Sequence, residues 1–109
     1  MNDQSRARKI LNEVGAFKPD SFDLAANEVI QYLWDVEVGS QDLVNRMLTV
    51  LDRKLDYLTT LGTPAQKKFV LQLIKHVNDA EVGSQDEVMK LIDDVAGALD
   101  KTNRRHYGA

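Results

Sequence analysis

The chain has 109 residues, with 14 basic and 17 acidic side chains, a formal net charge of −3 and no cysteine. This length is typical of one domain, and a hydrophobic content of 43% with so small a net charge excludes a disordered chain. The absence of cysteine excludes disulfides, thiol nucleophiles and cysteine-ligated zinc sites. No apolar run approaches the roughly 18 residues of a membrane-spanning helix, and the first residues lack the apolar core of a secretory signal. We therefore expect a single cytoplasmic domain.

Glycines divide the chain into five segments with helical periodicity. Gly15, Gly39, Gly62 and Gly83 stand between these segments, where a helix often ends in a left-handed residue that glycine adopts easily. The sequence predicts helices near residues 4–14, 21–37, 41–60, 64–80 and 85–102. In terms of organisation, it predicts an N-terminal helix and linker over 1–18, a first hairpin over 19–60, a second hairpin over 61–102 and a basic tail over 103–109.

Capping residues mark the starts of three predicted helices. Thr63 precedes Pro64 and is followed three residues later by Gln66, a pattern typical of a capping box. Ser84 and Glu87 form a second capping box, and Ser40 offers a serine cap without the glutamate.

Apolar residues recur at the spacing of one helix face in each segment, and no stretch alternates with the period of a strand. The clearest stripe of segment 41–60 comprises Val44, Met47, Leu48, Leu51, Leu55 and Leu58. That of segment 85–102 comprises Val88, Leu91, Ile92, Val95 and Leu99. The sequence therefore predicts an all-α fold.

An internal repeat indicates how the helices are organised. The sequence of residues 37–42 recurs at 81–86, a shift of 44 residues, and several apolar positions match under the same shift. The repeated unit is a helix–turn–helix hairpin. Because two hairpins can cover each other's apolar stripes, we expect a compact bundle of four to five helices, with the N-terminal helix as the extra one. A short solenoid-like stack is the alternative.

The chemistry-bearing residues do not indicate a catalytic or metal site. The acidic residues around the repeated turns do not have the spacing of an EF-hand loop, and helix capping accounts for them. His76 and His106 have no sequence neighbours at ligand spacing, and no serine lies in a Gly-x-Ser-x-Gly motif. We therefore expect no enzyme activity, no metal and no cofactor.

Large aromatic residues lie off the main apolar stripes. Tyr32, Trp34 and Tyr57 are of this kind, and the 41–60 helix carries a second stripe that comprises Leu43, Met47, Val50 and Tyr57. Trp34 and Tyr57 either pack beneath the N-terminal helix or form a docking surface, where such residues are favoured anchors. The hypothesis taken forward is a small acidic helical protein-binding module, such as an adaptor, inhibitor or scaffold subunit. Its partner is another protein or a second copy of the chain in a homodimer.

The distribution of charge supports one alternative function. Residues 21–100 carry seven basic and fourteen acidic side chains, whereas the two ends of the chain are basic. An acidic body repels a phosphate backbone, but the ends could contact one weakly. The candidate nucleic-acid-binding residues are Arg6, Arg8, Lys9, Lys101, Arg104 and Arg105.

Overall fold

The computed structural model describes residues 21–107, with side chains described as far as residue 102. Its four helices are α1 (Ser21–Asp35), α2 (Gln41–Leu58), α3 (Pro64–Asp79) and α4 (Gln85–Tyr107). The all-α prediction is confirmed, since residues 21–107 contain no strand. The helix predicted over 4–14 lies outside the described residues.

Three of the four helices match the predicted bounds to within two residues. The exception is α4, which continues to Tyr107, whereas the sequence predicted its end near residue 102. Residues 103–107 therefore continue α4 beyond the end that the sequence predicted. The stretch contains neither glycine nor proline, so no residue in it interrupts the backbone hydrogen bonds of α4.

The predicted caps form at the starts of α2 and α3. The Ser40 hydroxyl accepts a hydrogen bond of 3.3 Å from the backbone N–H of Leu43. Before α3, the Thr63 hydroxyl accepts from the Gln66 N–H at 3.1 Å, and the Gln66 side chain accepts from the Thr63 N–H at 2.8 Å. These bonds satisfy backbone donors that have no partner within the first helical turn.

The capping box before α4 also forms, and it perturbs a carboxyl group. The Glu87 N–H donates to the Ser84 hydroxyl at 3.2 Å, and the Glu87 carboxylate accepts from the Ser84 N–H at 3.0 Å. A hydrogen bond with the Glu81 side chain, followed by the bonds from Ser84, lowers the pKa of Glu87 below its ordinary value. The ionised form of Glu87 is therefore favoured in the folded protein.

We expect Glu87→Gln to reduce the pH dependence of stability in acid. The pKa of Glu87 is lower in the folded than in the unfolded chain. Its contribution to the free energy of unfolding is therefore complete above the ordinary glutamate pKa. That contribution is lost as the pH falls through the lowered folded-state pKa. Urea unfolding at pH values from about 3 to 7 measures the effect. Asp86→Asn in the same helical turn is the control. Equal slopes of stability against pH for the wild type and Glu87→Gln would contradict this role.

None of the described inter-helix glycines is left-handed, which corrects the prediction for Gly39, Gly62 and Gly83. The helices end by other means. After α2, the N–H of Thr59 bonds to the carbonyls of Leu55 and Asp56 in a tightened last turn. After α3, the backbone becomes extended at Ala80, with φ −75° and ψ 143°. Gly15 lies outside the described residues.

The core lies where the four helices meet. α1 packs most extensively against α4, and α2 against α3, while contacts between α1 and α2 and between α3 and α4 are fewer. Almost all the predicted stripe residues of α2 and α4 are buried; Leu48 is half-buried. The Gln85 side chain donates a 2.5 Å hydrogen bond to the Val38 carbonyl, which joins the start of α4 to the connection between α1 and α2.

Candidate protein-binding surface

Large exposed apolar side chains concentrate on the first two helices. Leu24 and Trp34 of α1 are 53% and 52% exposed, and Tyr57 of α2 is 59% exposed. α3 and α4 each carry one such residue, Leu71 and Met89 respectively. An exposed apolar residue on its own is ordinary, whereas several on neighbouring helices are typical of an interaction surface.

An open groove lies between α1 and α2. One cavity of about 850 Å³ and an adjacent one of about 230 Å³ share Glu28 and Lys54 in their lining. We call the two together the α1–α2 groove. The residues that line it are Leu24, Ala25, Asn27, Glu28, Val29, Gln31, Tyr32, Asp35, Val36, Arg53, Lys54 and Tyr57. Both helices contribute, so the groove depends on how α1 and α2 pack.

Tyr32 joins the two walls of the groove. Its ring is half-buried, and the Lys54 Nζ lies 5.4 Å from the ring centroid in a cation–π contact. Burial raises the pKa of the Tyr32 hydroxyl, and the positive charge of Arg46 offsets part of this rise. The phenol therefore stays neutral at physiological pH and can both donate and accept a hydrogen bond.

Three of the predicted docking residues lie at or beside this groove. Tyr32 and Tyr57 line it directly. Trp34 follows Asn27 by seven residues and Gln31 by three, so by helical spacing it shares their face of α1. Asn27 and Gln31 both line the groove, and Trp34 is an exposed aromatic residue on the same face of α1, beyond the lining residues.

The prediction for the second stripe of α2 needs one correction. Met47 was expected on the docking surface, but its side chain is fully buried in the core. The reason is that α2 contacts both α1 and α3, so its apolar face has to cover two neighbours. Leu43 and Val50 of the same stripe are half-buried.

Sequence reasoning missed Leu24, Glu28 and Lys54 as parts of the groove. On α1, Leu24, Glu28, Gln31 and Asp35 recur at spacings of four, three and four, which places them on one face beside the core stripe. This face is mostly polar, so apolar periodicity does not reveal it.

A smaller cleft between α3 and α4 is lined mostly by ionisable side chains. His76 Nε2 lies 3.1 Å from Asp94 Oδ2, and Lys90 Nζ lies 3.5 Å from the same oxygen. His76 thus has a carboxylate partner eighteen residues along the chain, which its local sequence did not reveal. Glu81 and Glu87 also line this cleft of about 200 Å³. Among the described residues, no group of three or more histidine and acidic side chains could hold a metal ion.

The candidate nucleic-acid residues stay a prediction. Lys101 is exposed near the end of the described side chains. Arg104 and Arg105 belong to α4, but their side chains lie beyond the last side chain that the structure describes. Arg6, Arg8 and Lys9 lie outside the described residues altogether.

Comparison of the chain with protein-family models, with curated proteins and with solved structures finds no match. Within residues 21–107, none of the helices combines the length and apolar character needed to cross a bilayer. The groove and its side chains are therefore the basis on which a function is proposed.

Proposed function

We propose that this chain is a small helical protein-binding module that acts by surface contact, without catalysis or a cofactor, in the cytoplasm. The binding surface is the α1–α2 groove together with Trp34. The observation that carries the proposal is the concentration of exposed aromatic and apolar side chains along an open groove on one pair of helices. Tryptophan and tyrosine are the residue types that most often supply binding energy at protein interfaces.

The internal repeat supports this assignment. α1 ends at Asp35 and α3 at Asp79, while α2 begins at Gln41 and α4 at Gln85, so the bounds next to the repeated turn differ by 44 residues. We infer that two copies of one helical hairpin form a bundle in which each hairpin packs mainly against the other. The second hairpin then serves as an internal reference for which surface residues the fold needs.

The reference hairpin is polar where the first is apolar. A shift of 44 residues takes Leu24 to Lys68, Tyr32 to His76, Trp34 to Asn78 and Tyr57 to Lys101. All four counterparts are exposed polar residues on α3 or α4. Since the hairpin folds with polar residues at these positions, the aromatic and apolar residues of α1 and α2 are better explained by binding than by folding.

We expect Trp34→Ala and Tyr57→Ala each to weaken partner binding by a factor of about ten or more. Truncation of an aromatic anchor typically costs about 2 kcal/mol of binding free energy, whereas half-exposed side chains contribute little to stability. Immobilised full-length protein captures the partner, and titration of the purified partner gives the dissociation constant for each variant.

Two variants of the second hairpin control for this result. Asn78→Ala changes the counterpart of Trp34, and Leu71→Ala removes an exposed apolar side chain from α3. Both should bind the partner as the wild type does. Unchanged binding after both Trp34→Ala and Tyr57→Ala would remove the α1–α2 groove as the proposed surface.

A further inference from the structure

We propose that the α1–α2 groove binds a second copy of this chain, in a homodimer whose two-fold axis passes through the groove. The inference rests on the proposed function of the groove as a protein-binding surface, and it names the occupant. In such an interface the same patch is used by both subunits, so the patch has to be complementary to itself.

The charges of the groove have the required complementarity. On its α1 side are the carboxylates of Glu28 and Asp35, and on its α2 side are the cations of Arg53 and Lys54. A two-fold axis that runs along the groove lays α1 of one subunit over α2 of the other, so each acidic edge meets a basic edge. A partner of one charge sign would meet like charge on one side, which disfavours it.

Both ends of the groove carry aromatic or apolar side chains. Glu28 and Lys54 line both cavities, so they mark the middle of the groove. Tyr57 lines only the smaller cavity, while Tyr32 and Val36 line only the larger one. Because an axis along the groove exchanges its two sides but not its ends, Tyr57 of each subunit meets Tyr57 of the other, and the Tyr32 and Val36 ends meet each other. Apolar groups thus face apolar groups at both ends.

Two of the groove's charged side chains are free to serve this purpose. Glu28 and Arg53 are exposed, and neither takes part in an ion pair found among the described residues. Their counterparts in the second hairpin are Gln72 and Gly97, which carry no charge. The complementary pair is therefore confined to the hairpin that carries the groove.

Charge reversal in the full-length protein tests the dimer. Light scattering over a concentration series gives the dimer dissociation constant. We expect Glu28→Lys and Arg53→Glu each to raise the dimer dissociation constant about tenfold or more. The reason is that the two-fold symmetry makes each like-charge contact occur twice in the interface. Combining the two substitutions restores opposite charges across the interface and should return the constant to within about threefold of the wild type.

Matched reversals on the other hairpin are the controls. Asp93→Lys on α4 and Lys68→Glu on α3 make the same changes of charge at exposed positions, and they should leave the dissociation constant unchanged. A protein that stays monomeric at all concentrations would overturn the dimer, as would a double reversal that fails to restore it. In either case the occupant of the groove is a different protein or residues 1–20. The dissociation constant of the Trp34→Ala variant for a captured partner still tests the proposed function separately.

Discussion

Replacing Met47 with alanine is expected to lower the free energy of unfolding by about 2–5 kcal/mol. The side chain is fully buried, and α2 contacts both α1 and α3. Its removal forfeits the transfer free energy of the lost atoms and leaves a cavity that close-packed neighbours fill only in part. A loss of this size is a large share of the total stability of a typical domain. Urea denaturation followed by circular dichroism measures it.

Met89→Ala makes the same chemical change at an exposed position of α4. Met89 is 47% exposed, and alanine is a better helix former than methionine, so the expected change is within about 0.5 kcal/mol. If Met47→Ala were equally mild, Met47 would not be a core residue. It would then return to the docking surface that the sequence predicted for it.

Gly62→Ala is the second substitution with a large expected effect, a loss of about 1–3 kcal/mol. A Cβ atom at this position would lie 2.9 Å from Cδ2 of the Phe22 ring and would also overlap the Gln66 side chain. Phe22 is fully buried and has no room to yield. The Gln66 side chain closes the capping box of α3, so displacing it also costs part of the cap.

Gly97→Ala is the matched control for this crowding. Gly97 lies within α4, and a Cβ atom there would meet no heavy atom within 4 Å other than its chain neighbours and the backbone of its own helix. Alanine in a helix interior is favoured over glycine, so this variant should gain about 0.5–1 kcal/mol. Urea denaturation of both variants separates the two effects. A Gly62→Ala protein as stable as the wild type would show that Phe22 and Gln66 do not restrict this position.

The dimer and the binding module share one surface, which sets the order of the experiments. The native mass comes first because a dimer through the groove buries Tyr57 and the neighbouring charges. A partner search by capture then requires concentrations at which the groove is free. The wild-type protein below its dimer dissociation constant, in which every side chain of the groove is unchanged, is the form best suited to that search.

Local sequence patterns were sufficient to predict the helices and most of their caps. Thr63, Pro64 and Gln66 predicted the start of α3 because a capping box depends only on residues within one helical turn. The core stripes of α1 to α4 followed from spacing for the same reason, since one face of a helix has to be buried. The end of α4 was mislocated because a basic composition was interpreted as a tail, although nothing in that stretch terminates a helix.

The candidate surface was predicted only in part. Tyr32, Trp34 and Tyr57 stood out as aromatics off the main stripes, and two of them line the groove. Met47 belongs to both apolar stripes of α2 by its spacing. Spacing alone does not decide whether a neighbouring helix covers its side chain. The partnership of His76 with Asp94 is likewise invisible locally, because it joins residues eighteen positions apart on different helices.

The sequence by itself determined helices α1 to α4 and the caps before α2, α3 and α4, because each depends on residues within a few turns. Only the tertiary structure decided that α2 lies between α1 and α3, which buries Met47, and that α1 and α2 leave a groove between them. The physical reason is that burial and complementarity depend on which helix faces are brought together. That choice is made by the packing of the whole core.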